Sequence, residues 1–323
     1  MTDHVALRDA LAHVLARHDL IAGPDTYERV RERILDVGAT EFEHLRAVAG
    51  EELSVVLDAN DVPLSRRDIE RILGFGRSLT AFLSVPVSMS IENRRAVRRL
   101  GARANTLVSV FDQFVDRGYH PDDVLSKWGL RLAGVRRRAV DWAYSRLVSP
   151  RERALYRLVA DYFRRLASLP FASQRGGVKR TLHDHITEMY QAERQSAIGA
   201  DGARVNRTTS VFPLVVMGLP SWLAAPSFNR SRYETHLTWL RRVGEFFGLI
   251  DDAVDVREDA TEGAYNVIEA RRAIQSDSAV VEQIAEKGIR IMETWTTLTD
   301  STTCDATLED VFTTTVASWL GGP

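Results

Sequence analysis

The chain has 323 residues, 45% hydrophobic and 27% charged, a balance that excludes a disordered chain, a collagen-like fibre and a disulfide-stapled miniprotein. Lys and Arg number 42 against 44 Asp and Glu, a net charge of −2, so a bulk basic surface for nucleic acid is not expected. The single Cys304 makes no internal disulfide, in keeping with a reducing cytoplasm. The N-terminal stretch has no apolar signal core. The longest apolar run, Val211 to Ala225, is interrupted by Pro213 and Pro220 and is too short to span a bilayer. A cytoplasmic protein is expected.

Apolar positions recur at three- and four-residue spacing over 3–20, 26–49, 65–83, 91–117, 132–168, 178–197, 232–257, 279–299 and 307–319, which predicts helices there. Alternating runs of Val, Ile and Thr are nearly absent, so a sheet is not expected. Turn residues separate the segments, and no gap has the length or composition of an interdomain linker. The expectation is one all-α domain over 1–323, a bundle of roughly ten or more helices.

Two acidic clusters carry the chemistry. In Asn105-Thr-Leu-Val-Ser-Val-Phe-Asp112-Gln-Phe-Val-Asp116, two carboxylates four residues apart leave one helix face about one turn apart. Gly118 and Pro121 place them near a helix C-terminus, where like charge is unfavourable without a cation. A solvated helix edge is the alternative. The second cluster is Phe246-Phe-Gly-Leu-Ile-Asp251-Asp252-Ala-Val-Asp255-Val-Arg-Glu258-Asp259. Asp251, Asp255 and Asp259 share one stripe with Asp252 beside it. Mg²⁺, which takes oxygen ligands and keeps waters for a phosphate-bearing substrate, resolves the repulsion. The alternative is an acidic surface helix. Gly248 and Gly244, one and two turns before Asp251 on the same face, cost about 1 kcal/mol each against Ala and point to something bulky approaching the backbone.

Bidentate Arg suits a diphosphate. Arg207 in Arg207-Thr-Thr-Ser-Val-Phe212 is the first candidate, followed by Lys179, Arg180 and Arg257. His183 and His185, two apart, face different ways and make poor co-ligands, so a zinc site is not expected. The Arg94-Arg95, Arg98-Arg99 and Arg136–Arg138 clusters read as solvated helix faces, with attraction to phosphates or an anionic membrane as the alternative.

Two Asp-rich helices with an Arg-Thr-x-x-x-Phe element between them resemble the class I isoprenoid synthase superfamily over about residues 90–270. Asp251-Asp252-x-x-Asp255 is similar to the second DDxxD of trans-prenyltransferases, and Arg207-Thr208 through Phe212 to their Lys-Thr-x-x-x-Phe element. The first motif, Asp112-Gln-Phe-Val-Asp116, is a DxxxD, as in squalene and phytoene synthases. The run from Asp255 through Glu258-Asp259 and Gly263 to Asn266 resembles the large class IB terpene synthases of the tetraprenyl-β-curcumene synthase type, as does Met189-Tyr-Gln-Ala-Glu193.

The resemblance implies helices around a central cavity, with Asp112 and Asp116 facing Asp251, Asp252, Asp255 and Asp259 across three Mg²⁺. Arg207, Lys179, Arg180 and Arg257 would hold the diphosphate, and Phe111, Tyr190, Phe247 and Trp239 would line the cavity. The implied partner is a prenyl diphosphate of C15 or longer, acyclic or previously cyclised, which a cyclase would convert to a cyclic terpene. A homodimer is compatible with the resemblance, and so is loose peripheral membrane contact. A prenyl-coupling enzyme of the squalene or phytoene type is the alternative within the class, and a catalytically silent helical partner the alternative outside it.

Overall fold

The computed structural model describes residues 3–49, 65–115, 150–197, 202–299 and 306–322. All regular structure among them is helical, as the periodicity predicts. In chain order the helices are α1 (Asp3–Arg17), α2 (Pro24–Ala49), α3 (Arg66–Leu83), α4 (Ile91–Val115), α5 (Pro150–Ala167), α6 (Gly176–Ala197), α7 (Ala203–Gly218), α8 (Ser221–Ala224), α9 (Arg230–Glu262), α10 (Val267–Arg272), α11 (Asp277–Leu298) and α12 (Ala306–Trp319). Of the helix expected over 132–168, the part before Pro150 lies outside the described residues, as do Arg136–Arg138, Asp116 and Cys304. No described helix is long and apolar enough to cross a membrane.

Helix starts follow from local chemistry. Ser65 accepts from the Asp68 N–H while Asp68 Oδ2 takes the Ser65 N–H at 3.0 Å, a reciprocal cap that starts α3. Asn229 and Ser276 cap α9 and α11 with a single bond each, their side chains accepting from the N–H groups of Arg232 and Ala279. Helix α9 ends at Gly263, whose φ of 72° suits a residue without a side chain.

Helix α7 corrects the reading of Pro213 as a breaker. It runs through that proline, which withholds one N–H from the carbonyl four residues back. Val205, Val211, Leu214, Val215, Val216 and Met217 are buried as α7 packs among α9, α6 and α4, and that burial outweighs the lost bond.

Pairwise contacts fix the helix directions. Asn105 Nδ2 donates to the Ile72 carbonyl at 2.8 Å and Gly101 abuts Thr80, so α3 and α4 run antiparallel. Asn206 meets Asp252 while Val211 meets Gly244, so α7 and α9 are antiparallel too. Leu83, at the end of α3, touches Gly218 at the end of α7 and accepts from His236 near the start of α9. Helices α3 and α7 therefore begin at the end of the bundle where α4 and α9 finish.

The core is centred on Phe82, whose ring lies 5.0–5.5 Å from those of Trp239, Trp295 and Phe312. A buried ion pair ties α4 to α5: Arg103 lies 3.5 Å from Asp161, each side chain 2% exposed, and Asp161 also takes Arg164 and Arg165. Burial pulls the Arg103 guanidinium down to about 10 against the opposing pull of Asp161.

Candidate functional site

A cavity of about 1220 Å³ opens among α2, α3, α4, α7, α9 and α12. Its wall takes Asp251, Asp252, Asp255 and Asp259 from α9, Asn206, Thr209 and Ser210 from α7, and Asn105, Val108 and Ser109 from α4. All four aspartates of the second cluster thus border one space, and Glu258 does not. Helical register places position 112 in the same row of α4 as Asn105, Val108 and Ser109. The side chain of Asp112 lies outside the described residues.

The wall changes character along its length. At the end where α3 and α7 begin stand the acids, Asn206, Glu193, Arg67 and Arg71. Farther in, Ile72, Phe75, Leu79, Leu214, Met217 and Phe247 make it apolar. Trp319 closes one flank: its indole N–H donates to Asp251 Oδ1 at 3.1 Å and its ring lies 4.7 Å from that of Phe247.

The carboxylates are held in place and crowded. Asp252 is 6% exposed; its Oδ1 accepts from Asn206 Nδ2 at 2.9 Å, while Oδ2 is buried without a hydrogen-bond partner. Buried Asn266 donates to the Asp252 carbonyl and to Asp259 Oδ2, both at 2.7 Å, and its own Oδ1 caps α10. Burial raises Asp252 to about 7, against the pull of the Asn206 bond. Asp251 keeps surface open to the cavity, yet protein packed around its carboxylate, and then Asp255, raise it to about 6. Asp255 is raised as well, by burial first and Asp259 second.

These residues fit a hard divalent cation. The donors are all oxygen, one buried carboxylate oxygen has no partner, and each raised acid marks charge that lacks compensation. Among the described residues no group of three His, Cys, Asp or Glu gathers closely enough to hold an ion unaided. Water or substrate oxygens would complete such a shell.

The other expected site residues are dispersed. Arg207 is exposed and ion-paired to half-buried Glu245 of α9, and neither residue lines the cavity. The reason is register: Asn206, Thr209, Ser210 and Pro213 form the inward row of α7, and position 207 falls outside it. Lys179 and Arg180 are exposed in the first turn of α6, at the opposite end of the bundle, and Arg257 is exposed on α9; none lines the cavity. Trp239 is core, donating to the Ile291 carbonyl at 3.0 Å, and Phe111 is buried away from the wall. Phe247 does line it. Tyr190 lies on α6 with its side chain outside the described residues.

Gly244 and Gly248 have their bulky neighbour, and it is α7. A Cβ at Gly248 would lie 2.5 Å from Ser210 Cβ, and one at Gly244 2.6 Å from Val211 Cα. Sequence reasoning missed Asn206, Trp319, Arg67 and Arg71. For Asn206 a signal existed: it precedes the Arg-Thr element by one residue.

Neither a scan against protein-family models nor a comparison with curated proteins returns a match.

Proposed function

We propose that this chain is a Mg²⁺-dependent class I terpene cyclase that ionises a prenyl diphosphate of C15 or longer, acyclic or previously cyclised, to a cyclic terpene. The observation that carries this reading is the polarity of one cavity: five aspartates, Glu193, Arg67 and Arg71 at one end, and a mainly apolar and aromatic wall beyond them, with Arg31 also on it. An amphiphile with a multiply charged head and a hydrocarbon tail matches that division.

Asp251, Asp252, Asp255 and Asp259 would hold Mg²⁺ together with Asp112 and Asp116, and the ions would supply charge neutralisation for the departing diphosphate. Arg67 and Arg71 replace Arg207 as the arginines suited to the diphosphate, because they stand on the same wall at the acidic end. Arg67 makes no ion pair with a described residue, while Arg71 lies 3.5 Å from Asp68. Asn206 and Asn266 hold Asp252 and Asp259 in position before any ligand arrives, which lowers the ordering cost of binding. Farther in, Phe75 and Phe247 offer ring faces to a carbocation, at about 0.5–2 kcal/mol each, while Leu79, Leu214 and Met217 exclude water.

The test is product analysis by gas chromatography–mass spectrometry after incubation with Mg²⁺ and, separately, geranyl, farnesyl, geranylgeranyl and geranylfarnesyl diphosphates. Wild type is run beside Asp112→Ala and Asp255→Ala. A cyclic hydrocarbon or alcohol from one substrate, lost in both variants, is the expected result and sets the chain length. A product that forms only when two prenyl diphosphates condense would replace cyclisation with coupling. Turnover that survives both substitutions would sink the assignment of the acids.

A further inference from the structure

The end of the bundle opposite the acidic mouth has no part in the chemistry above. Three stretches build it: 84–95, running from the end of α3 into α4; 164–180, from the end of α5 into α6; and 222–235, from α8 into α9. Hydrogen bonds join them. Asn93 Nδ2 donates to the Ala224 carbonyl at 2.8 Å, the Phe171 N–H to the Leu223 carbonyl at 2.9 Å, and the Tyr233 hydroxyl to Thr181 Oγ1 at 3.2 Å. The Arg175 guanidinium donates to the Trp222 carbonyl and lies 5.4 Å from the Phe228 ring centre.

Two properties coincide on this surface. The three stretches hold nine Lys or Arg against two Glu, in a chain whose net charge is −2. Some of that charge is already engaged: Arg230 pairs with Glu234, Arg164 and Arg165 with Asp161, and Arg232 donates to the Pro86 and Leu298 carbonyls. Arg94, Arg95, Lys179 and Arg180 form no ion pair with any described residue, and the last three are exposed. Three large hydrophobic side chains are exposed among the described residues, and two of them stand here: Ile91 at 60% and Phe228 at 46%. Phe228 is braced from behind by Trp222 and Tyr233, whose ring centres lie 5.6 and 5.5 Å away.

We propose that this end of the bundle docks on an anionic lipid bilayer. The charge selects an acidic leaflet, and Ile91 and Phe228 enter the boundary between headgroups and acyl chains while the surrounding arginines and lysine stay with the phosphates. A nucleic acid or an acidic protein would meet the charge but would leave the two apolar side chains without a role. None of Ile91, Arg94, Arg95, Lys179, Arg180 and Phe228 lines the cavity, so docking by this end leaves its mouth unobstructed. The inference stands apart from the reading of the cavity, because it needs neither substrate nor metal.

The experiment is co-sedimentation of the whole chain with phosphatidylcholine vesicles, with and without phosphatidylglycerol, at low and high salt. Retention on the anionic vesicles alone, released by salt, is expected. An Arg95→Gln/Lys179→Gln/Arg180→Gln variant should lose about fivefold in partition for each charge removed. An Ile91→Ser/Phe228→Ser variant should lose retention while keeping its response to salt. Melting temperature and circular dichroism of each variant establish that it folds, and the salt response of the wild type tests the charge without any substitution. Equal retention on neutral and anionic vesicles, or none on either, would overturn the proposal. So would binding to soluble heparin without binding to vesicles.

Discussion

Where α7 begins and α9 finishes, four aspartates face a cavity, and two of them are raised to about 6 and about 7 by crowding and burial. Where α7 finishes and α9 begins, the surface carries a large excess of arginine and lysine, and the buried titratable group is His236, pushed down to about 4. His236 is fully satisfied there: its Nδ1 accepts from the Trp222 indole at 2.9 Å, and its Nε2 donates to the Leu83 carbonyl at 2.8 Å. One end thus keeps polar groups short of partners around an open space, while the other pairs its buried groups and leaves its charge outside. On the two proposals above, the difference separates an end that receives a ligand from an end that holds the fold and meets a surface. A net charge of −2 over the whole chain reveals neither end.

The largest expected effect breaks the comparison most directly. Asp252→Ala should reduce diphosphate release by about a hundredfold or more. Lys179→Ala, at the basic end, should leave kcat/KM for soluble substrate within about twofold. Comparable losses in both would mean that the ends share one function. The middle effect concerns the crossing that carries the acids. Gly248→Ala drives a methyl group into Ser210 and should cost about 1–3 kcal/mol, read as a lower melting temperature. Adding Ser210→Gly should recover part of that loss, and strictly additive losses would show that the contact is not the cause.

The smallest effect is titration without metal, where the two ends oppose one another. Asp252 binds its proton more tightly in the folded protein, so its contribution is full below its unfolded value of 3.8 and is lost as pH rises through about 7. His236 works the other way: its contribution is present above 6.5 and is lost as pH falls through about 4. Between about pH 8 and about pH 5 acidification should therefore favour wild type over Asp252→Asn, which keeps only the raised Asp251 and Asp255 against the downward pull of His236, so the gap between their melting temperatures should widen as pH falls. A gap that stays constant or narrows would contradict the raised carboxylate.

Helices with one apolar stripe were legible in the sequence: α3 and α11 begin and end within two residues of their predicted limits, and α2 and α4 begin within two of theirs. Helix α7 was not, because Val211–Met217 is buried on nearly every side and shows little contrast between faces, and because Pro213 usually marks a boundary. Helix α10, six residues long, offers too little sequence for a period to emerge. The acid stripe was legible because like charges four apart announce themselves. Its supports were not: Asn206 lies 46 positions from Asp252 and Trp319 lies 68 from Asp251, separations that no local pattern encodes. Arg207 shows how narrow the margin is, since one residue is about 100° of helix rotation and separates the cavity wall from the outer surface.

The close approach of α7 to Gly244 and Gly248 has a mechanical consequence. With Val211 Cα and Ser210 Cβ at sub-van-der-Waals range of any added methyl group, the two helices interlock and cannot slide along one another by a turn. Asn206 and the aspartates consequently travel as one rigid plate. A tightening of the mouth around a bound head group would then be a movement of α3, α4 or α12 toward that plate, and Trp319 of α12, bonded to Asp251, would register it.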